Sequence, residues 1–113
     1  MNNLLLVGSG TLALQVAIRL AKLKGNVLTT PFSFPATTSA IVWSGCRPLY
    51  QDIDPFTYNI NAQRIEESTF KDHNVSGIIA THVFGAPCEV AELNRISNMM
   101  RVPLVYDASH CFG

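Results

Sequence analysis

Short apolar runs and amphipathic stretches alternate from one end of the sequence to the other, and no other feature restricts the fold so strongly. The apolar runs are Leu4–Val7, Val27–Thr30, Pro48–Ile53, Gly77–His82 and Val102–Tyr106, each of strand length. Between them, Thr11–Leu23 carries Leu12, Val16, Leu20 and Leu23 at a helical period. It ends beside Lys22, Lys24 and Gly25, as a helix C-terminus does. Pro35 suits the first position of a second helix running through Ala40, Ile41 and Trp43 to Gly45. A short helix over Asn61–Ser68 with Asn61 as its cap, and a longer one over Glu89–Met100, complete the set. The order β-α-β-α-β-α-β-α-β predicts an α/β fold. Its sheet should be mostly parallel, with helices on both faces and right-handed crossovers.

No repeat, low-complexity tract or linker divides the 113 residues, a length that suits one domain with a proper core. Lys+Arg 8 balance Asp+Glu 8, so there is no basic stripe of the kind that nucleic acid or an acidic membrane surface requires. The opening run Met1–Val7 lacks a basic flank and is closed at once by Gly8-Ser9-Gly10. It reads as neither a signal peptide nor the ~20 apolar residues of a membrane span, and the expectation is a cytoplasmic protein. Cys46, Cys88 and Cys111 are odd in number and lack a Cys-x-x-Cys spacing, which suits buried free thiols in a reducing compartment.

In an open parallel sheet, ligands bind beyond the carboxyl ends of the strands, so the residues that follow each run matter most. They are Gly8-Ser9-Gly10-Thr11, Pro31-Phe32-Ser33-Phe34, Thr81-His82-Val83-Phe84-Gly85 and Asp107-Ala108-Ser109-His110. On the expected sheet, an anion-binding turn, an aromatic pair, a histidine and a carboxylate face one cleft. Gly8–Thr11 opens a helix, where free N–H groups and the positive end of the helix dipole attract phosphate. The same residues with Ala13 fit Gly-x-Gly-x-x-Ala, the dinucleotide fingerprint, so an NAD site is an alternative. That fingerprint wants an acid about 20 residues on, and no Asp or Glu lies between Ala13 and Asp52. A purely structural turn is a further reading. Asp107 alone could cap a following helix, while Phe34 and His82 alone could be core residues. His82, Asp107, His110 and Cys111 include no pair whose spacing implies a metal site.

Five segments taken together resemble the DegT/DnrJ/EryC1/StrS family of pyridoxal-phosphate sugar aminotransferases. They are Ser9–Leu14, Thr30–Thr37, Asp52–Ile60, His82–Gly85 and Asp107–His110, in the family's order and over nearly the whole chain. The resemblance implies the aspartate aminotransferase (type I) fold, with residues 1–113 forming part of its large, cofactor-binding domain and without the small C-terminal domain. It implies that Gly10 and Thr11 hold the cofactor phosphate, that Phe34 stacks on the pyridine ring and that Asp107 pairs with the ring nitrogen. His110 would lie near the cofactor's phenolic oxygen, and His82–Gly85 would shape the site. The implied reaction moves an amino group from glutamate to a keto group on a nucleotide-linked deoxysugar. The lysine that the family bonds to its cofactor lies downstream of the Asp107 motif, and this sequence ends six residues after Asp107. Of Lys22, Lys24 and Lys71, the first two fall at the far end of the first helix and the third in an expected connecting loop. The expectation is therefore a truncated member, inactive alone, that binds pyridoxal phosphate weakly. A homodimer, association through an exposed sheet edge, or a non-catalytic interaction role are the further expectations.

Overall fold

The computed structural model describes residues 3–32 and 35–109. Four strands, β1 (Asn26–Thr29), β2 (Arg47–Tyr50), β3 (Val75–Thr81) and β4 (Leu104–Asp107), form one sheet in the order β2-β1-β3-β4. Every pairing is parallel, with Leu28 opposite Leu49 and Ile78, and Thr81 opposite Asp107. Helices α1 (Gly10–Leu20), α2 (Pro35–Trp43), α3 (Glu67–His73) and α4 (Val90–Met100) cover the sheet, and single 3-10 turns span Ala62–Arg64 and Val83–Gly85.

Alternation along the strands separates two cores. Val27 and Ile79 point to the side of α1 and α2, where they meet Leu14, Ile18, Ala40 and Ile41. Leu28, Ile78 and Ala80 point to the other side, against Phe70 of α3 and Leu93 and Ile96 of α4. Which helix lies on which face follows from the strand order. The β1-to-β2 connection runs one way along the sheet, whereas β2-to-β3 and β3-to-β4 run the other. Crossovers of one hand that reverse direction must place their helices on opposite faces. Both faces are buried, which is why the strands read as apolar runs.

Two expected elements differ. Leu4–Val7 forms no strand, and Leu4, Leu5 and Leu6 are 67%, 64% and 85% exposed. A run of leucines supplies hydrophobicity, but a strand also needs an edge to pair with. Among the described residues, neither outer edge, that of β2 or that of β4, takes it. The helix expected over Asn61–Ser68 is a 3-10 turn at Ala62–Arg64, an extended Ile65-Glu66 step, and then α3. Asn61 makes no capping side-chain bond. The later register places Phe70 in the core, 7% exposed, and sets Lys71 on a helix rather than in a loop. Cys46 and Cys88 are buried, as expected, and Cys111 lies outside the described residues. Among the described residues, no helix is long and apolar enough to cross a membrane.

Candidate functional site

The strand order reverses between β1 and β3, and the crevice at their carboxyl ends is where a ligand site is expected. Thr29, Thr81 and Asp107 end their strands on the face covered by α1 and α2, following Val27, Ile79 and Val105 at the two-residue period. The first two are 0% and 2% exposed, and neither hydroxyl has a hydrogen-bond partner among the described residues. Buried polar groups without partners are costly, so they mark places where a polar ligand or water is at home.

Asp107 is 7% exposed and well furnished with donors. Its Oδ1 accepts from the Ser109 N–H at 3.0 Å and from the Ser109 hydroxyl at 2.5 Å, and its Oδ2 accepts from the Thr37 hydroxyl at 3.0 Å. All three donors are neutral, so they orient the carboxylate without supplying a counter-charge. A cationic N–H on a bound ring would supply one. Thr37, in the first turn of α2, is 1% exposed and ties that helix to the end of β4. Neither partner of Asp107 was assigned from sequence. The Asp-x-Ser spacing is a local signal for the Ser109 contact, an Asx-type turn, whereas Thr37 is 70 residues away and only folding brings it near.

Gly10 and Thr11 begin α1 beside this carboxylate. Ser9 caps the helix with its hydroxyl accepting from the Leu12 N–H at 3.2 Å, and the first turn carries no acidic residue. The Gly10 and Thr11 N–H groups have no partner among the described residues, and they lie at the positive end of an eleven-residue helix. A Cβ on Gly10 would stand 3.3 Å from the Ser109 hydroxyl, so glycine keeps this approach open. A cavity of about 240 Å³ lies between α1 and β4, lined by Gly10, Ala13, Val105, Asp107 and Ser109 among others. Anion donors on one wall and an oriented carboxylate on the other fit a small molecule carrying both a phosphate and a basic ring nitrogen, as pyridoxal phosphate does. Phe34 and His110, the other expected cofactor contacts, lie outside the described residues.

His82 does not share this cleft. Its ring stacks on Tyr106 with centroids 4.8 Å apart, on the sheet face of α3 and α4, and its Nδ1 accepts from the Cys88 N–H at 2.9 Å. The strand alternation that turns Asp107 one way turns Tyr106 and its stacked histidine the other. The dinucleotide reading loses its context as well, because among the described residues no strand precedes the glycine turn.

The strand ends and the helix start of this α/β layer thus bring N–H groups at a helix N-terminus and an oriented carboxylate to one end of the sheet. The chain belongs to the DegT/DnrJ/EryC1/StrS aminotransferase family, whose profile matches residues 1–113. It is 38% identical over 108 residues to the dTDP-4-amino-4,6-dideoxy-D-glucose transaminase of Escherichia coli, covering 96% of this chain and 29% of that protein. To the UDP-2-acetamido-2-deoxy-3-oxo-D-glucuronate aminotransferase of Pseudomonas aeruginosa it is 32% identical over 107 residues, or 93% of this chain and 29% of that one. Its fold superimposes on NtdA from Bacillus subtilis, crystallised with bound cofactor PMP, with TM-score 0.86 and 28% identity over 93% of this chain and 24% of that one. The chain thus spans under a third of the length of these relatives.

Proposed function

We propose that these residues form the phosphate-and-ring-nitrogen side of a pyridoxal-phosphate site, within the large domain of an aminotransferase acting on nucleotide-linked keto-deoxysugars. The observation that carries this reading is the pairing of Asp107, held by Thr37 and Ser109, with the free N–H groups of Gly10 and Thr11. When bound, pyridoxal phosphate supplies a ring that accepts electrons from a substrate carbon, provided its nitrogen stays protonated. Asp107 would hold the proton on that nitrogen, and its two fixed oxygens would orient it. Gly10 and Thr11 would bind the phosphate through N–H groups and the helix dipole, with no lysine or arginine needed. Phe34 and His110 are assigned by the family motif to the ring face and the phenolic oxygen. The Escherichia coli and Pseudomonas aeruginosa relatives are sugar transaminases by name, which supports a nucleotide-sugar substrate. Glutamate, as the amino donor of the complete enzyme, is part of the proposal by family resemblance alone.

Absorbance titration of the 113-residue chain with pyridoxal phosphate tests the site directly. Saturable binding is expected, weakened about tenfold or more in Asp107→Ala, since a hydrogen bond to a charged group contributes about 1.5–3 kcal/mol. Affinity equal to the wild type in that variant would remove Asp107 from the site.

A further inference from the structure

Outside that cavity, the structure builds a second feature at the same end of the sheet. Phe32, Tyr58 and Phe84 lie in the connections that follow β1, β2 and β3. Their rings meet: Phe32 stacks on Tyr58 at 5.4 Å, and Phe84 stands edge-on to both, at 6.3 and 6.1 Å. They nevertheless remain 40%, 43% and 75% exposed.

The backbone beneath them is strained in a way that the other described residues are not. Among the described residues, five non-glycine residues have positive φ, and Lys22, Asn74 and Arg101 are ordinary helix endings. The other two are Tyr58 at +63° and Phe84 at +53°. Bulky side chains rarely adopt such angles, and the surroundings must impose them. Asn59, 3% exposed, does so by clamping the two loops together. Its Nδ2 donates to the Ala86 carbonyl at 3.0 Å and its Oδ1 accepts from the Val83 N–H at 2.7 Å. Asp54 fixes the other side, accepting from the Phe56 and Thr57 N–H groups through Oδ1 and from Tyr58 N–H through its carbonyl. The Tyr58 and Phe84 rings are thus held in place, and partly in solvent, on backbone that costs free energy to keep.

We propose that Phe32, Tyr58 and Phe84 form a stacking platform for the base of a pyrimidine nucleoside diphosphate, the handle of the sugar substrate. The proposal rests on the nucleotide-sugar reading above and adds the place where the nucleotide is held. The loops of β2, β1 and β3 centre the platform over β1, two strands from Asp107 on β4, or about 10 Å at ordinary strand spacing. A ribose and a diphosphate separate the base from the reacting sugar, so the base must be received at a distance from Asp107 and on the same side of the sheet. Preorganised aromatic faces suit it, because a base stacks on them with little ordering of the protein.

The test is proton NMR of the 113-residue chain titrated with dTDP, with inorganic pyrophosphate as the probe that lacks a base. Stacking should move the thymine H6 and methyl resonances upfield along a saturable curve, with dTDP binding more tightly than pyrophosphate. Phe84→Gly should weaken dTDP about tenfold, the loss of one base–aromatic stack, and leave pyrophosphate unaffected. Its unfolding temperature should hold or rise, since glycine accepts the +53° angle. Phe32→Ala, which changes no strained residue, should weaken dTDP as well. Unshifted base resonances, equal affinity for the two probes, or undiminished dTDP binding in both variants would overturn the platform. So would a dimer in sedimentation that Phe84→Gly dissociates, since a second copy would then cover the rings. Pyridoxal phosphate binding without dTDP stacking would sink the platform alone; dTDP stacking without pyridoxal phosphate binding would sink the cofactor reading and keep the platform.

Discussion

Asn59→Ala removes the clamp between the loops after β2 and β3, and its cost can be worked out from the contacts. The Val83 N–H is buried with its residue at 3% exposure, so losing the Asn59 Oδ1 leaves a donor that water does not reach. That alone costs about 1–3 kcal/mol. The Ala86 carbonyl, which accepts from Nδ2, sits on a half-buried residue where solvent can replace the lost donor, so its share is nearer 0.5–1 kcal/mol. The sum is about 1.5–4 kcal/mol, a large part of the roughly 5–15 kcal/mol that holds a typical domain together. Urea unfolding followed by far-ultraviolet circular dichroism measures it as a lower midpoint with an unchanged slope. A second readout follows from the geometry: Tyr58 and Phe84 lose what holds their positive φ angles, so their ring resonances should merge toward averaged positions. A change below about 0.5 kcal/mol, with the ring resonances still distinct, would refute the clamp.

Three other outcomes are expected. Tyr106→Phe should stabilise the protein by about 1 kcal/mol in the same assay, because its buried hydroxyl has no partner among the described residues. Burial, and secondarily Cys88, raise the Tyr106 pKa, so folding favours the neutral phenol. The unfolded chain therefore releases this proton first. Wild-type stability should be intact below about pH 10 and fall as pH rises through the folded value, a loss that Tyr106→Phe should reduce. Gly77→Ala should destabilise by about 1–3 kcal/mol, since a Cβ there overlaps the buried Leu23 side chain, and adding Leu23→Ala should not impose its full separate cost. Ser9→Ala should cost about 1 kcal/mol through the lost cap of α1, and an unchanged midpoint would show that the cap contributes nothing.

Much of this architecture is written in local pattern. Four of the five expected strands and the helices α1, α2 and α4 form near their expected places, because apolar runs buried on both faces and 3.6-residue periods follow from local chain geometry. Leu4–Val7 shows where such reading stops: its composition is that of a strand, yet pairing depends on a free edge elsewhere. The site divides along the same line. Ser9-Gly10-Thr11 at a helix start and Asp107 at a strand end are recognisable in sequence, because anion binding and carboxylate chemistry belong to those residue types and places.

What the sequence determined by itself was the α/β class, the family motifs and the places of Gly10, Thr11 and Asp107 at a helix start and a strand end. Tertiary structure alone decided which of them meet. Thr37 reaches Asp107 across 70 residues, Asn59 clamps a loop 24 residues away, and His82 turns to the opposite face from Asp107. The physical reason is that hydrogen bonds and stacking act over a few ångströms, whereas the strand order that brings these groups so near is set by packing two cores at once.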